Sequence, residues 1–92
     1  VIAGSTASVQ QVMALAKEHS AKAIALPVSV PSQCSLMKPA AEKFAEAVEQ
    51  TAIELPTIPV IQNVNAGIAT DVTQLRQALT AQFYQSVQWT RT

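Results

Sequence analysis

Short apolar runs alternate with helix-length amphipathic stretches along the whole chain, and this alternation rules out most fold classes at once. The runs lie at residues 2–3, 23–30 and 58–61. Each is too short for a helix of ordinary length, and their β-branched residues favour extended backbone. We therefore predict three strands, the second of them bent or at a sheet edge, because Pro27 has no N–H to donate to a neighbouring strand.

Between these runs, apolar residues recur every three or four positions, as they do on one face of an α-helix. The spacing predicts helices over residues 7–18, 37–51 and 72–83. Ser5 and Thr6 are suitable N-cap residues for the first helix, and Thr70 and Asp71 begin the third. The resulting order is βαβαβα, which favours an α/β fold over separate blocks of strands and helices.

Each predicted helix carries an apolar stripe that needs a partner surface. With 92 residues, the chain has room for one small core at most. The three stripes, in chain order, are Val9, Val12, Met13 and Ala16; Leu36, Ala40, Phe44, Ala47 and Val48; and Val72, Leu75, Leu79 and Phe83.

Charge and cysteine content exclude several classes of partner. Six Lys and Arg balance six Asp and Glu, so we expect no binding to nucleic acid or to an anionic membrane surface. No apolar run approaches the ~20 residues that span a bilayer. The single cysteine, Cys34, cannot form an internal disulfide, and no Cys/His metal spacing is present. We expect no metal, no cofactor, and a reducing, cytoplasmic compartment.

The most specific pattern in the chain is LPVSVPSQCSLMKPA at residues 26–40. It is similar to the signature of the malonyl-CoA:acyl carrier protein transacylase family, in which a strand leads through Pro-Ser-His into a helix that opens Leu-Met. Two further blocks, IPVIQNV at 58–64 and QFYQSVQW at 82–89, resemble the family's next core strand and its segment ending Pro-Val-Gln-Trp. The three blocks occur in the family's order, and the resemblance extends over essentially the whole chain.

This resemblance implies a fold in two parts. Residues 1–30 correspond to the second half of a ferredoxin-like small subdomain, and residues 31–92 return to the large hydrolase-like α/β subdomain. The match amounts to about a third of a family member of ordinary two-subdomain size, and we interpret both chain ends as cuts within a longer polypeptide. We therefore expect the apolar stripes to be partly uncovered and to depend on the remainder of the acyltransferase chain.

The resemblance also implies a reaction. The family's serine, at a Gly-x-Ser-x-Gly elbow, takes a malonyl group from coenzyme A and yields it to the phosphopantetheine thiol of acyl carrier protein. Malonyl-CoA is thus the implied substrate and acyl carrier protein the implied partner. No such elbow is present, since the only glycines are Gly4 and Gly67. Gln33 stands where the family has its general-base histidine, and an amide cannot exchange a proton near neutral pH. We expect the chain alone to be inactive.

Three more site residues follow from the same resemblance. Val28 and Ser32 match positions that line the family's acyl pocket, and Lys22 falls where the family presents basic residues to the acidic carrier protein. From local pattern alone, Val28 is a strand core residue, Ser32 and Gln33 are turn residues, and Lys22 is a solvated side chain.

Two other functions remain open from the sequence. The chain could be a non-catalytic α/β module that docks a carrier protein or another chain, or a ferredoxin-like regulatory domain, although it has too few strands for the latter. Catalysis by Cys34 is disfavoured, because no His, Asp or Lys is placed to activate it. His19 is expected on the surface, and Arg76 and Arg91 match no malonyl-binding motif. The three motif blocks favour the transacylase segment.

Overall fold

The computed structural model describes all 92 residues and contains three α-helices and one turn of 3₁₀-helix. Helix α1 comprises Thr6–Glu18, the 3₁₀ turn Ser35–Met37, α2 Lys38–Gln50 and α3 Val72–Ala81. The three helices predicted from apolar spacing are confirmed, and each boundary lies within about two residues of its expected position.

Two of the helices begin where side chains satisfy otherwise free backbone N–H groups. The Ser5 Oγ accepts a hydrogen bond from the Ser8 N–H at the start of α1, at 3.3 Å. Asp71 accepts from the Gln74 N–H at the start of α3, at 2.8 Å. The Gln74 side chain reaches back to accept from the Thr70 N–H, at 2.9 Å. This reciprocal arrangement is a close variant of the capping box, and it confirms the predicted helix starts.

The three predicted strands are not formed in this chain by itself, so the structure does not show the βαβαβα order. Residues 2–3 and 23–30 have no regular secondary structure, and residues 58–61 contribute only an isolated antiparallel bridge between Ile61 and Ile68. Apart from the local bond from the Ser32 N–H to the Val30 carbonyl, segment 23–30 makes no backbone hydrogen bond to any other part of the chain. Strands need neighbours to satisfy their backbone groups, and these 92 residues supply none at the first two positions.

The core is small and belongs to one part of the molecule. Helices α2 and α3 pack against each other, whereas α1 packs against none of the other helices and contains no buried residue. The stripe of α1 is partly uncovered, as expected, since Val12 is exposed and the other three stripe residues are half-buried. The buried residues are Ala41, Val48, Val64, Leu75 and Ala78.

Within α2, the buried face differs from the predicted stripe. Leu36 and Ala40 are exposed, while Ala41 and Val48 are buried and Phe44 is half-buried. Leu36 lies in the 3₁₀ turn, which has three residues per turn, so it is out of phase with the α-helix that follows. The face that packs on α3 therefore begins one residue later than the sequence pattern suggested.

The molecule is elongated and unusually exposed. Its radius of gyration is 16.3 Å, compared with about 12 Å for a compact chain of this length. Its accessible surface is 7167 Å², which is about 2,000 Å² more than a compact protein of its mass presents. Large apolar side chains are exposed along the whole chain but are densest in its first 30 residues, where they include Val1, Ile2, Ile24, Leu26, Val28 and Val30.

Candidate functional site

A tight turn joins the extended segment ending at Val30 to the 3₁₀ turn before α2. The Ser32 N–H donates to the Val30 carbonyl at 2.9 Å. The Cys34 thiol donates to the Pro31 carbonyl at 3.0 Å. These short-range bonds fold the chain sharply around Gln33, whose side chain is exposed.

Gln33 has a left-handed backbone, with φ at 57°. For a residue with a Cβ this region costs on the order of 1–2 kcal/mol. Asparagine, aspartate and histidine enter it several times more often than other non-glycine residues. The surroundings must impose the conformation on a glutamine, and a histidine at this position would be better tolerated.

The C-terminal end of α3 supplies that constraint. The Gln33 N–H donates to the Phe83 carbonyl at 3.1 Å. Phe83 lies in the turn that closes α3, where its own N–H donates to the Thr80 carbonyl at 3.2 Å. Its ring packs against the Phe44 ring of α2, with centroids 4.7 Å apart and planes inclined by 33°. The turn at Gln33 is thus held by a segment that follows it much later in the sequence.

A second contact joins the same two helix ends. The Lys38 Nζ, at the start of α2, lies 5.6 Å from the centroid of the Tyr84 ring. An ammonium group at this distance from an aromatic face is attracted to it, by about 0.5–1 kcal/mol at an exposed site. Phe83 and Tyr84 therefore both contact α2: Phe83 packs on the Phe44 ring, and the Tyr84 ring faces the Lys38 ammonium group.

Arg76 links the helices at their opposite ends, a role that the sequence analysis missed. Its guanidinium donates to the carbonyls of Val48 and Thr51, the latter at 3.0 Å. The last carbonyls of a helix lack intrahelical partners, and a cation there is favourable. The sequence shows an arginine on α3 but not which helix end faces it.

The other predicted site residues lie close to Gln33 in sequence but outside the main pockets. Val28 is 69% exposed, Lys22 is exposed, and Ser32 is half-buried. One pocket of about 210 Å³ lies between α3 and residues 62–69, and another of about 120 Å³ lies near residues 55–69. Neither is lined by any of these four residues, so their binding roles stay predictions.

The one histidine of the chain lies at a helix end, and its one cysteine lies in the turn before α2. His19 is the exposed C-cap of α1, as expected, and Cys34 is half-buried with its thiol on a backbone carbonyl. No group of three or more His, Cys, Asp or Glu side chains is close enough to hold a metal ion. No helix combines the length and hydropathy needed to cross a membrane.

Comparison with solved structures gives the class of protein. The chain superposes on the crystal structure of FabD from Acinetobacter baumannii with a TM-score of 0.90 and 94% identity, over 96% of this chain and 28% of that one. It superposes equally well, at 0.90, on the malonyl-transacylase of the PlMCAT:AntF (holo) complex with a type II PKS acyl-carrier protein, at 41% identity over 97% and 29% of the two chains. The matched proteins are acyltransferases of the α/β class.

Comparison with curated relatives gives the family. No protein-family model matches the chain. The malonyl CoA-acyl carrier protein transacylase of Haemophilus influenzae is 50% identical over 93 aligned residues, which are 100% of this chain and 30% of the relative. The chain belongs to the malonyl CoA-acyl carrier protein transacylase family, and it spans about 30% of the length of the curated relatives it matches. These matches do not favour the alternative of a non-catalytic binding module.

Proposed function

We propose that this chain is part of an enzyme that moves a malonyl group from coenzyme A to the phosphopantetheine thiol of acyl carrier protein, in fatty acid or polyketide synthesis. The 50% identity to the Haemophilus influenzae transacylase along the whole chain carries this proposal. The chain has no Gly-x-Ser-x-Gly elbow, so the nucleophile belongs to the remainder of the acyltransferase chain.

The proposed reaction has two acyl transfers. A serine Oγ attacks the thioester carbonyl of malonyl-CoA, a C–O bond forms, the C–S bond breaks, and coenzyme A leaves as a thiol after taking up the serine proton. The phosphopantetheine thiol then attacks the serine ester, a C–S bond forms, the C–O bond breaks, and the proton returns to the serine. Both transfers need a group that accepts and releases a proton near neutral pH.

We assign Gln33 to the position of that group. Two observations support the assignment. Gln33 follows the extended segment that ends at Val30, and ligands in open α/β sheets gather beyond the carboxyl ends of strands. Its left-handed backbone, at φ 57°, is of the kind that clusters at active sites. The glutamine amide can donate and accept hydrogen bonds but cannot transfer the proton, so the enzyme is impaired at both steps.

We further propose roles for three residues that precede Gln33 in the sequence. Val28 and Ser32 line the acyl pocket, and Lys22 contacts the acidic carrier protein. In support, Lys22 is exposed, and a related transacylase has been solved with an acyl-carrier protein. The single unpaired cysteine, Cys34, fits a reducing compartment, so we place the enzyme in the cytoplasm.

The domain boundary and the strands are also proposed. Residues 1–30 would complete a ferredoxin-like small subdomain and residues 31–92 would belong to the large α/β subdomain, with segments 23–30 and 58–61 pairing as strands once the rest of the chain is present. All five buried residues lie at or beyond Ala41, and segment 23–30 has free backbone groups, which supports both assignments.

The proposal is tested in the full-length enzyme that contains this segment. Gln33→His should raise the rate of malonyl transfer from coenzyme A to carrier protein by about two to four orders of magnitude, the usual contribution of general acid–base catalysis. Gln33→Asn is the matched control, because asparagine also accepts a left-handed backbone but has no group that gains or loses a proton near neutral pH. An unchanged rate for Gln33→His would mean that Gln33 does not occupy the base position. The 92-residue chain should be inactive with either residue.

A further inference from the structure

One backbone hydrogen bond joins residue 33 to residue 83. The Phe83 carbonyl lies beyond the last residue of α3, Ala81, and the backbone hydrogen bond it accepts comes from the Gln33 N–H at 3.1 Å. The same planar peptide unit carries the Tyr84 N–H, which donates to the Ala81 carbonyl at 3.2 Å, so the turn that closes α3 fixes the direction of the Phe83 carbonyl relative to that helix. This turn must itself be held in place beside residue 33, because the hydrogen bond to the strained Gln33 backbone depends on it.

The Phe44–Phe83 ring pair is placed to hold that turn, and with it the Phe83 carbonyl, against α2. The two centroids are 4.7 Å apart, in the range where aromatic pairs attract. Phe44 belongs to α2, the helix that begins at Lys38, shortly after the Gln33 turn. Residue 33 is therefore linked to α2 in two ways. The chain runs directly from residue 33 into α2, and the Phe44 ring of α2 packs on Phe83, whose carbonyl accepts the residue 33 N–H.

We propose that Phe44 and Phe83 are positioning residues for residue 33, because their ring contact holds the Phe83 carbonyl where it sets the left-handed backbone and thus the direction of the side chain at that position. The conformational part of this inference stands by itself, and its catalytic meaning rests on the function proposed above. Both rings are half-buried and also join α2 to the end of α3, so the control for their loss has to weaken the same pair of helices at another point.

The first test measures conformation in the full-length enzyme that contains this segment. Phe44→Leu should speed hydrogen exchange at the Gln33 amide by about tenfold, the size of effect expected from one aromatic pair, and should shift its HN–Hα coupling away from the left-handed value. Phe83→Leu removes the other ring and should give the same result. Arg76→Met is the matched control, since it breaks the link between α2 and α3 at the far end. Equal exchange at Gln33 in the ring variants and in this control overturns the proposal.

The second test measures catalysis in the full-length enzyme carrying Gln33→His. Phe44→Leu should lower kcat about tenfold with little change in KM, and should move the acid limb of the pH–rate profile, because the imidazole then sits in different surroundings. Phe44→Tyr keeps the ring and should restore both. Arg76→Met should lower the melting temperature while leaving kcat and the pH profile unchanged. A normal kcat and pH profile in Phe44→Leu overturns the positioning role. A Gln33→His enzyme without increased transfer would instead count against the proposed base position, and the exchange test would still stand.

Discussion

The two parts of this chain differ in how much of their apolar surface is covered. In residues 31–92, α2 and α3 enclose a small core and are joined at both ends by side-chain contacts. In residues 1–30, α1 packs on no other helix, and the extended segment after it exposes Ile24, Leu26 and Val28. Both parts have amphipathic sequences, so the difference lies in which partner surfaces the chain itself contains.

The sharpest test of this comparison makes the same substitution in each part. Leu75 is 7% exposed and Leu15 is 52% exposed. Leu75→Ala should lower the free energy of unfolding by about 2–5 kcal/mol, because it leaves a cavity between α2 and α3. Leu15→Ala should change it by no more than about 0.5 kcal/mol. Urea unfolding followed by circular dichroism measures both, and equal losses would show that α1 shares the core.

A smaller effect is expected where Arg76 joins the helices. Arg76→Met removes two hydrogen bonds to helix carbonyls but keeps much of the apolar stem. Hydrogen bonds to charged groups are stronger than those between neutral groups, but the bond to Thr51 is exposed to solvent. We therefore expect the free energy of unfolding to fall by about 1–2 kcal/mol. Arg91→Met is the control, since Arg91 is exposed and should cost less than about 0.5 kcal/mol. Similar melting temperatures for the two variants would show that the Arg76 hydrogen bonds do not stabilise the fold.

The smallest effect comes from the helix caps, which exist in both parts. Asp71→Ala should lower the free energy of unfolding by about 1 kcal/mol, because the cap bond at Gln74 belongs to a helix that is coupled to the core. Ser5→Ala should reduce the helix content of α1 without moving the main unfolding transition. Residue-resolved amide exchange distinguishes the two. A shift of the main transition by Ser5→Ala would show that α1 unfolds together with α2 and α3.

The parts of the fold that depend on local sequence could be predicted, and those that depend on distant residues could not. Apolar spacing and the polar residues before α1 and α3 gave the helices and their starts, since both signals act within a few residues. The strand at 23–30 failed because pairing needs a neighbour that these 92 residues do not contain. The left-handed backbone of Gln33 could not be predicted either, because the hydrogen bond that constrains it is made to the Phe83 carbonyl, and no local sequence pattern connects the two residues.

The left-handed turn at position 33 also bears on how this position can change in evolution. Codons for glutamine and histidine differ only at the third base, so one nucleotide substitution exchanges an amide for an imidazole here. The exchange leads to a residue that enters the left-handed region more readily, and the backbone at φ 57° needs no rearrangement to receive it. A change from glutamine to histidine at this position is therefore a short mutational path, and stability does not oppose it.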